Sequence, residues 1–305
     1  MLFSNLFPGN RTPLSIKKMS ELKKQENFFK VIKKFDKNLK FKILEIGAHP
    51  YGDFREVFHI LLDHFPGSEI YAFEVDKEEC EKLNKICKKG MKFFPIALGK
   101  KKETRKFYET YMPVCSSLYE PNQKFLELYH SLNIAYLKNI TEIETISLDE
   151  FSNNHDLGYV DFIKIDIQGA ELDVFRGGIK TLEKTLMIVT EVEWVEQYIN
   201  QPLFGDINSF LKDKDFMIHK FLGYGTRSLK PIILNQNKNF GTQFIWSDAL
   251  FIRNVMNVSK LNDEELIKSA VFSYIYKSPD LTYFYLKKFD EKNNSSFCNL
   301  FQEIN

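Results

Sequence analysis

The sequence predicts an α/β fold in which a mostly parallel β-sheet is covered by helices on both faces. From residue 41 onward, short apolar segments alternate with longer segments whose apolar residues recur at helical spacing. Strands that alternate with helices in this way favour parallel pairing with right-handed crossovers. The 305 residues are 44% hydrophobic and 15% aromatic, which is enough to bury the core of such a sheet.

The predicted strands are the short apolar segments, and small or acidic residues mark the ends of several of them. The first strand ends before Gly47, the second ends at Glu74, and a strongly apolar strand in the middle of the chain ends at Asp166. Strands are predicted at 41–46, 70–73, 91–98, 104–111, 143–148, 160–166, 186–191, 216–221 and 244–253.

The predicted helices have one apolar face and carry recognisable end signals. Asp53 is suited to cap the start of the first helix after residue 41, and Pro66-Gly67 ends that helix. Gly90 is suited to follow the end of the next helix. Helices are predicted at 15–38, 54–65, 77–89, 170–175, 207–212 and 260–290, the last interrupted by Pro279.

Charge is distributed unevenly along the chain. Lys and Arg number 42 and Asp and Glu number 41, and the net charge of +1 argues against a protein that binds nucleic acid over much of its surface. Residues 1–40 nevertheless hold ten basic and three acidic residues (+7), which leaves 32 basic and 38 acidic residues (−6) for the remainder. This basic helical segment is either a solvated helix on the core or a binding surface for a phosphorylated or lipid-linked acidic substrate.

The same patterns predict three consecutive parts of the chain. Residues 1–40 form a basic helical N-terminal extension, residues 41–255 form the α/β domain, and residues 256–305 form a C-terminal helical extension. No repeat or low-complexity linker suggests a further division.

Nothing in the sequence predicts a membrane or secreted location. No apolar run approaches the roughly 18 residues of a membrane-spanning helix, and residues 1–8 lack a charged leader followed by a continuous apolar segment. The four cysteines are too few and too scattered for a disulfide framework, and the absence of a CxxC pair argues against structural zinc. We therefore expect a cytoplasmic protein with reduced thiols and no transmembrane segment, and the sequence leaves homo-oligomerisation open.

The turn after the first strand, at residues 45–52, has small residues where a ligand can approach the backbone. Gly47 and Ala48 leave room, and the helix that follows offers its N-terminus. His49 and Tyr51 stand where a dinucleotide-binding turn has small residues, so pyrophosphate binding is disfavoured. An ordinary strand–helix turn is the alternative.

Glu74 adds a second indication at the end of the next strand. It lies 27 residues after Gly47, where a carboxylate can accept hydrogen bonds from two ribose hydroxyls. The alternative is an exposed acidic loop, since Asp76 and Glu78 follow. An acidic ribose-binding residue beside a turn that does not suit pyrophosphate predicts an adenosyl ligand with an amino-acid tail, which is S-adenosylmethionine.

The segment at 161–178 is the most distinctive part of the sequence. Lys164 lies in a strand expected to be buried on both faces, where an ammonium group is costly without a partner. Asp166 and Glu171 are near enough to supply one, and a structural ion pair would explain them. Asp166 also ends its strand at the edge where α/β sheets bind ligands, so it could orient a ligand, bind a metal or accept a proton.

This segment, DFIKIDIQGAELDVFRGG, resembles the signature of the FkbM family of S-adenosylmethionine-dependent methyltransferases. That signature reads isoleucine-lysine-isoleucine-aspartate, an aliphatic residue, glutamate, and then glycine-alanine-glutamate. The resemblance extends over about residues 41–253. It implies a Rossmann-like class I methyltransferase fold with a seven-stranded sheet, and an enzyme that methylates a hydroxyl of a small molecule, often a sugar, glycan or secondary metabolite.

Other segments occur in the order of the family pattern. They correspond to its cofactor turn, ribose-binding acid, adenine-side strand end, serine-rich turn, leucine-aspartate strand, acidic fifth strand end and last strand, at 44–52, 73–74, 95–99, 116–118, 146–149, 190–194 and 247–253. The cofactor-binding residues that the resemblance implies are Glu45, Gly47, Ala48, His49, Glu74, Val75, Ala97, Leu98, Ser116, Ser117 and Asp166.

The sequence departs from the family pattern at three positions. His49 replaces a usual asparagine, and Tyr51 stands where a glycine is usual, the glycine here being Gly52. Both changes concern the surroundings of the methionine tail. Gln168 replaces the usual glutamate and so removes a negative charge from that position, whereas Glu171 is retained.

Asp166 is the residue that we expect to act on the acceptor. An alcohol is a poor nucleophile, so a base or a divalent metal should help to remove its proton. Our hypothesis is that Asp166 is that base or a metal ligand, and that Glu191 at the end of the adjacent strand is its partner. The sequence leaves the metal open; if one binds, Asp166 and Glu191 are its expected ligands.

Other candidate residues have a simpler structural alternative. His49 is expected to contact the cofactor rather than act as a base. Trp194, Tyr198 and Phe204 could line an acceptor pocket, but aromatic residues in a chain with 29 phenylalanines also suit the core.

Three competing functions remain open at this point. A nicotinamide dehydrogenase would share the sheet and Glu74 but needs a glycine-rich pyrophosphate turn. A nucleic-acid methyltransferase of the kind that modifies base nitrogens would show an Asn/Asp-Pro-Pro-aromatic run where residues 166–169 stand, although the basic segment at 1–40 leaves RNA binding open. The third is a methyltransferase-like fold that serves as a non-catalytic binding or assembly module, which Tyr51 and Gln168 suggest.

Overall fold

The computed structural model of the chain describes residues 16–48 and 56–304. Within these ranges the chain forms eleven strands and eleven α-helices. The strands are β1 Lys42–Ile46, β2 Glu69–Phe73, β3 Met91–Phe94, β4 Ala97–Gly99, β5 Glu103–Thr110, β6 Leu137–Ser147, β7 Phe162–Ile165, β8 Met187–Glu193, β9 Phe216–Phe221, β10 Gly225–Arg227 and β11 Gln243–Arg253. The helices are α1 Ile16–Ile32, α2 Ile60–His64, α3 Lys77–Ile86, α4 Gln123–Leu128, α5 Leu148–Asn154, α6 Glu171–Arg176, α7 Ile179–Lys184, α8 Phe204–Asp213, α9 Asp263–Ile275, α10 Pro279–Asn293 and α11 Phe297–Ile304.

The main sheet confirms the predicted α/β class. Its strands lie in the order β10-β11-β8-β7-β1-β2-β3, and β9 also pairs with β11. Strand β7 pairs in parallel with β1 and β8, and β2 pairs in parallel with β3. Strand β11 runs antiparallel to β8, β9 and β10. The sheet has eight strands, one more than predicted, because β10 is a three-residue strand that is too short to show a pattern in the sequence.

A second, three-stranded sheet has the order β4-β6-β5. It contains the strands predicted at 104–111 and 143–148 and the end of the one predicted at 91–98. That predicted strand is interrupted between β3 and β4, where Pro95 stands. Proline lacks a backbone N–H and does not suit the interior of a sheet, so the chain leaves the main sheet here and continues in the second one.

The middle of the main sheet is fully buried. Phe162, Ile163 and Ile165 of β7 are 0% exposed, as is Leu44 of β1. Leu44, Ile163 and Ile165 belong to one apolar cluster that extends to α5, α6 and α8. All four residues of β7 are buried, which is the environment that the sequence predicted for Lys164.

The chain divides into two compact units. The unit at 42–51 and 70–254 contains both sheets. The other unit consists of 1–41, 52–69 and 255–305, and in its described part Phe28 of α1 stacks on Tyr274 of α9 at 4.0 Å and packs edge-on against Phe301 of α11 at 5.6 Å. The three consecutive parts predicted from the sequence, at 1–40, 41–255 and 256–305, stay a prediction.

The helix predicted at 54–65 is only partly within the described residues. Its described part is a 3₁₀ turn at Val57–His59 followed by α2, and the predicted cap Asp53 lies outside the described ranges. Among the helices of the described residues, none is both long enough and apolar enough to cross a bilayer.

Candidate active site

The carboxyl ends of β1, β2 and β7 are tied together at one edge of the main sheet. The Ala48 backbone N–H donates to the Phe73 carbonyl at 3.0 Å, and the Asp166 N–H donates to the Ile46 carbonyl at 3.0 Å. Gly47 has φ +80°, and a Cβ atom at this position would lie 2.0 Å from the Asp166 carbonyl oxygen. Only glycine permits this approach of β1 to β7, so Gly47 sets the shape of the edge on which the acidic residues stand.

The loop between β7 and α6 contains two consecutive residues with positive φ. Gln168 has φ +59° and Gly169 has φ +99°, and a non-glycine residue with positive φ is uncommon. Glu171, at the start of α6 and 0% exposed, accepts hydrogen bonds from the backbone N–H groups of Ile167 (2.7 Å) and Gly169 (3.0 Å). These two hydrogen bonds fix the loop to the first residue of α6, and the loop holds Asp166 and Gln168 at the sheet edge.

Asp166, Gln168 and Glu191 form the centre of the candidate site. The Gln168 amide nitrogen Nε2 donates to Asp166 Oδ1 at 2.9 Å and to Glu191 Oε2 at 2.5 Å. The structure therefore brings together the two residues predicted to be catalytic. Gln168 was identified in the sequence only as a departure from the family pattern, and its bridging contact is a finding of the structure.

Two side chains outside the loop fix the position of Gln168. The Tyr198 hydroxyl, 2% exposed, lies 3.1 Å from Gln168 Oε1 and 2.7 Å from the Cys115 carbonyl oxygen. The Ser117 hydroxyl donates to the Gln168 carbonyl oxygen at 2.7 Å. Tyr198 is thus a buried residue that supports Gln168 next to the acidic pair, and an acceptor contact for it stays a prediction.

Lys164 places a positive charge beside the acidic residues. Its ammonium group lies 3.2 Å from Asp166 Oδ2 and 3.8 Å from Asp248 Oδ1. Asp248 is on β11 directly opposite Glu191 of β8. The ion pair between Lys164 and Asp166 that the sequence suggested is therefore present, and it includes a second carboxylate from a strand distant in sequence.

The surroundings of Asp166 and Glu191 shift the pKa values of the two residues in opposite directions. Burial raises the pKa of Asp166, but the Lys164 ammonium group and hydrogen bonds from the Glu191 and Gln168 side chains outweigh it and hold this pKa at about 2. Burial, and then the charge of Asp166, raise the pKa of Glu191 well above its usual value. Burial and the neighbouring charges therefore favour the proton on Glu191 rather than on Asp166.

Glu171 and Glu193 extend this acidic group. Burial raises the pKa of Glu171 to about 7, against the hydrogen bonds from Ile167 and its own backbone. Burial and the charges of Glu171 and Asp166 raise the pKa of Glu193 well above its usual value, and this residue is 0% exposed. The alternation Glu191-Val192-Glu193 was the available signal for Glu193, because alternate residues of a strand face the same side.

The other residues predicted to bind a cofactor lie at several strand ends of the same unit. Glu45 is opposite Lys164 in the register of β1 and β7. Glu74 is 9% exposed, and its carboxylate accepts a hydrogen bond from the Asp76 N–H at 2.8 Å. Val75 is 41% exposed. His49, together with Tyr51, lies outside the described residues.

The structure gives Ala97, Leu98, Ser116 and Ser117 different environments. Ala97 and Leu98 are buried in β4 of the second sheet. The Ser116 hydroxyl accepts a hydrogen bond from the Thr110 N–H at 3.1 Å, and Ser117 contacts the Gln168 loop as described above. Of these four residues, Ser117 is the one that hydrogen-bonds to the loop of the acidic pair, and the cofactor contacts of all four stay predictions.

Trp194 and Phe204 belong to an aromatic cluster that follows β8. Their rings lie 4.9 Å apart, and Trp194 also meets Phe221 of β9 at 5.1 Å. Both residues are partly buried within this cluster, and an acceptor contact for them stays a prediction.

The acidic group has the residue types of a metal site, but its carboxylate oxygens are already engaged in hydrogen bonds. One oxygen atom each from Asp166, Glu171 and Glu191 lie within 4.8 Å of one another, and hard divalent cations bind carboxylate oxygens. Both oxygens of Glu171 already accept backbone N–H groups, and Asp166 is held by Lys164 and Gln168. A cation would have to displace these donors, so the residues in this arrangement do not fit a metal.

A cationic ligand fits the same edge on charge. Glu45, Glu74, Asp166 and Asp248 stand at the ends or inner positions of neighbouring strands, with Lys164 among them. S-adenosylmethionine carries a sulfonium charge and an ammonium group, which such carboxylates attract. Glu74 directly follows β2, and its contact with ribose hydroxyls stays a prediction.

Comparisons with known proteins bear directly on this site. A family model described as the methyltransferase FkbM domain matches residues 45–218, which include Asp166, Gln168 and Glu191. The chain is also similar to the 2-O-methyltransferase NoeI of Sinorhizobium fredii (strain NBRC 101917 / NGR234), with 26% identity over 172 residues, 52% of this chain and 66% of that protein. The chain thus spans slightly less than two thirds of the length of this curated relative.

Solved structures of methyltransferases resemble the chain weakly. Magnesium protoporphyrin IX methyltransferase (ChlM) from Synechocystis PCC 6803 with bound SAM has 8% identity and a TM-score of 0.32, and the match covers 81% of this chain and 86% of that one. The putative RNA methyltransferase PH1948 from Pyrococcus horikoshii has 13% identity and a TM-score of 0.31, with 77% and 85% covered. These scores are too low to carry a conclusion about either chain.

The family match covers more than half of the chain and confirms the resemblance found in segment 161–178. The matched model describes a methyltransferase domain. The chain belongs to the FkbM methyltransferase family.

Proposed function

We propose that the protein transfers the methyl group of S-adenosylmethionine to a hydroxyl oxygen of a small molecule, with sugars, glycans and secondary metabolites as the acceptor classes. The observation that carries this proposal is the position of Asp166 and Glu191 at the carboxyl end of β7, where the Gln168 amide contacts both and their pKa values are shifted in opposite directions. A hydroxyl acceptor needs a group that can take its proton, and an ionised carboxylate at the sheet edge can do so. The Asp166 side chain keeps 13% of its surface exposed, so an acceptor can reach it.

When bound, S-adenosylmethionine supplies a methyl group that is already electrophilic because it is attached to a sulfonium. The protein therefore has to hold the acceptor in line with that methyl, and positioning of this kind can contribute about 7–11 kcal/mol to lowering a barrier. Asp166 orients the acceptor by accepting a hydrogen bond from its hydroxyl and takes the proton as the new bond forms.

Asp166 alone is a weak base because its pKa lies at about 2. Glu191 and Gln168 donate hydrogen bonds to it in the resting state. When the acceptor proton reaches the pair, the Glu191 hydrogen is free to turn away from Asp166, so the two carboxyl groups take up the proton as a unit. Lys164 keeps Asp166 ionised until then.

The name of the relative NoeI, a 2-O-methyltransferase, supports oxygen as the methyl acceptor. The similarity to NoeI covers 52% of this chain, and the name of that relative does not identify the acceptor of this protein. A cytoplasmic location and the assignment of residues 41–255 to the catalytic domain are part of the same proposal.

The proposal is tested by incubating the protein with methyl-labelled S-adenosylmethionine and separate panels of free sugars, nucleotide sugars, glycans and hydroxylated metabolites. We expect label in a methyl ether of at least one panel and no label with Asp166→Asn. RNA and DNA are included as further panels, and label on either of them instead would favour the nucleic-acid alternative. Folded protein that binds no S-adenosylmethionine in calorimetry would favour a non-catalytic module and overturn the proposal.

A further inference from the structure

The close approach of three buried carboxyl groups requires something that holds them together. Asp166, Glu171 and Glu191 present oxygens within 4.8 Å of one another. Buried groups of this kind interact strongly at such a distance, so the donors between them decide which of them is ionised. In proteins such groups are commonly joined by a divalent cation, by shared protons or by hydrogen-bond donors placed between them.

Nitrogen donors take this role here. The two Glu171 oxygens accept backbone N–H groups from Ile167 and Gly169, and one Asp166 oxygen faces Lys164. Between Asp166 and Glu191, the Gln168 amide nitrogen is within hydrogen-bond distance of both, alongside the hydrogen bond from the Glu191 side chain to Asp166. This nitrogen carries two hydrogens, one for each carboxyl group.

The chemistry of the neighbours fixes which way the amide faces. With the amide reversed, Gln168 Oε1 would lie 2.9 Å from an oxygen of the ionised Asp166, so two acceptors would meet. In the present orientation Oε1 faces the Tyr198 hydroxyl at 3.1 Å, whose hydrogen is shared with the closer Cys115 carbonyl oxygen at 2.7 Å. The nitrogen therefore faces the carboxyl pair.

We propose that Gln168 is a positioning residue that bridges Asp166 and Glu191 in the way a divalent cation would, so that the protein works without a metal and Gln168→Glu creates a metal site. This inference rests on the proposed role of Asp166 and Glu191 in methyl transfer. It adds a residue that touches neither substrate nor cofactor and acts by setting the distance between the two carboxyl groups.

Both the backbone and the side chain of Gln168 are held in place by their surroundings. Gln168 is held in a left-handed conformation, φ +59°, that a residue with a Cβ adopts at a cost. The Ser117 hydroxyl anchors its carbonyl oxygen, and Tyr198 anchors its side-chain oxygen. The amide is thus fixed before any ligand binds, as a positioning group requires.

The test measures metal binding and methyl transfer separately on four full-length proteins. These are the wild type, Gln168→Glu, Gln168→Met and the control Gln123→Glu, which adds the same charge at an exposed position of α4. Each is treated with EDTA and dialysed, and binding of Mn²⁺ is followed by calorimetry and by electron paramagnetic resonance. Melting temperature and S-adenosylmethionine affinity identify any variant that fails to fold.

Gln168→Glu is expected to bind one Mn²⁺ about tenfold or more tightly than the wild type, because the introduced carboxylate replaces the two N–H donors by a third oxygen ligand. Gln168→Met, which lacks both donors and ligands, and Gln123→Glu are expected to bind no more Mn²⁺ than the wild type. Wild-type protein that binds Mn²⁺ tightly, or a Gln168→Glu protein that folds and binds none, would overturn the inference.

Methyl transfer gives the second readout. Activity of the wild type should be unaffected by EDTA, and Gln168→Met should lower kcat with little change in S-adenosylmethionine affinity. Gln168→Glu should be impaired without metal and partly restored by Mn²⁺ or Mg²⁺. Asp166→Asn is assayed for methyl transfer beside these four proteins: if it keeps full activity, the proposed function fails whatever the metal results, and if only the metal results differ, the role of Gln168 alone fails.

Discussion

Strand β7 carries one carboxylate just before its first residue, Asp161, and another just after its last, Asp166. At the amino end, an oxygen of Asp161 accepts the Lys42 backbone N–H at 2.8 Å. Nearby, Asp149 accepts hydrogen bonds from the Lys180 N–H, the Thr181 N–H and the Thr181 hydroxyl at 2.8–3.0 Å. At the carboxyl end, Asp166 faces another carboxyl group through an amide.

The two ends of the strand show how the same residue type is used for structure and for chemistry. Backbone N–H donors satisfy the carboxylates at the amino end, where Asp149 caps α7. A cavity of 310 Å³ opens there as well, lined by Asp149 and Thr181. At the carboxyl end the carboxyl groups face each other, and their pKa values move in opposite directions. Carboxyl groups whose pKa values are shifted in opposite directions are a common feature of catalytic sites, and this feature favours the carboxyl end as the chemical site.

The largest expected effect at the carboxyl end follows from Asp166→Asn. This change removes the ionised oxygen that takes the acceptor proton, so methyl transfer should fall by about 10²–10⁴-fold. S-adenosylmethionine affinity, measured by calorimetry, should change little. Asp149→Asn at the amino end is the matched control and should keep its turnover; equal losses in both variants would erase the difference between the two ends.

The buried Glu171 predicts a pH dependence of stability. Its folded-state pKa of about 7 lies above its usual 4.5, so the folded protein holds this proton more tightly than the unfolded chain. The resulting stabilisation is complete below pH 4.5 and is lost as the pH rises toward 7, and it amounts to up to about 3 kcal/mol.

Denaturant unfolding of the wild type and of Glu171→Gln between pH 4.5 and 8 checks this. Glu171→Gln should flatten the fall in unfolding free energy over that range, whatever its absolute stability, because the substituted side chain does not titrate. Parallel pH curves for the two proteins would show that Glu171 is ionised in the folded state throughout.

Glu191→Gln should have a smaller effect than Asp166→Asn. The substituted amide can still donate a hydrogen bond to Asp166 but no longer carries the proton of the pair, so we expect turnover to fall by about 10–100-fold. A steady-state comparison of kcat and KM for the acceptor would show the loss in kcat. An unchanged kcat would show that Asp166 acts without the proton of Glu191.

The smallest effect is expected at the amino end. Asp149→Ala removes the cap of α7 and should lower the unfolding free energy by about 1 kcal/mol, with turnover unchanged. Thermal unfolding and the methyl-transfer assay check both parts. A strong loss of turnover would mean that this end also takes part in the reaction.

Much of the fold could be predicted from the sequence because its strands are short apolar segments with clear ends. The strand predicted at 216–221 coincides with β9, and that at 244–253 differs from β11 by one residue. Strand β10 and the break at Pro95 could not be predicted, because three residues carry no pattern and the second sheet is defined by pairing between distant segments.

The candidate site could be predicted only as far as single strands allow. Asp166 and Glu191 stand at the ends of apolar runs, which a sequence shows directly. The role of Gln168 could not be predicted, because its side chain reaches both carboxyl groups only through the left-handed conformation of the loop. The contributions of Tyr198 and Asp248 likewise depend on contacts between segments far apart in the chain.

A crystal structure with S-adenosylhomocysteine tests the central claim most directly. The sulfur atom of this product marks where the methyl group departs. The account predicts that it lies at the carboxyl edge of the main sheet, with the ribose hydroxyls on Glu74 and the sulfur facing the Asp166 carboxylate across an open space for an acceptor. A sulfur atom at the amino end of β7, or one separated from Asp166 by other side chains, would contradict it.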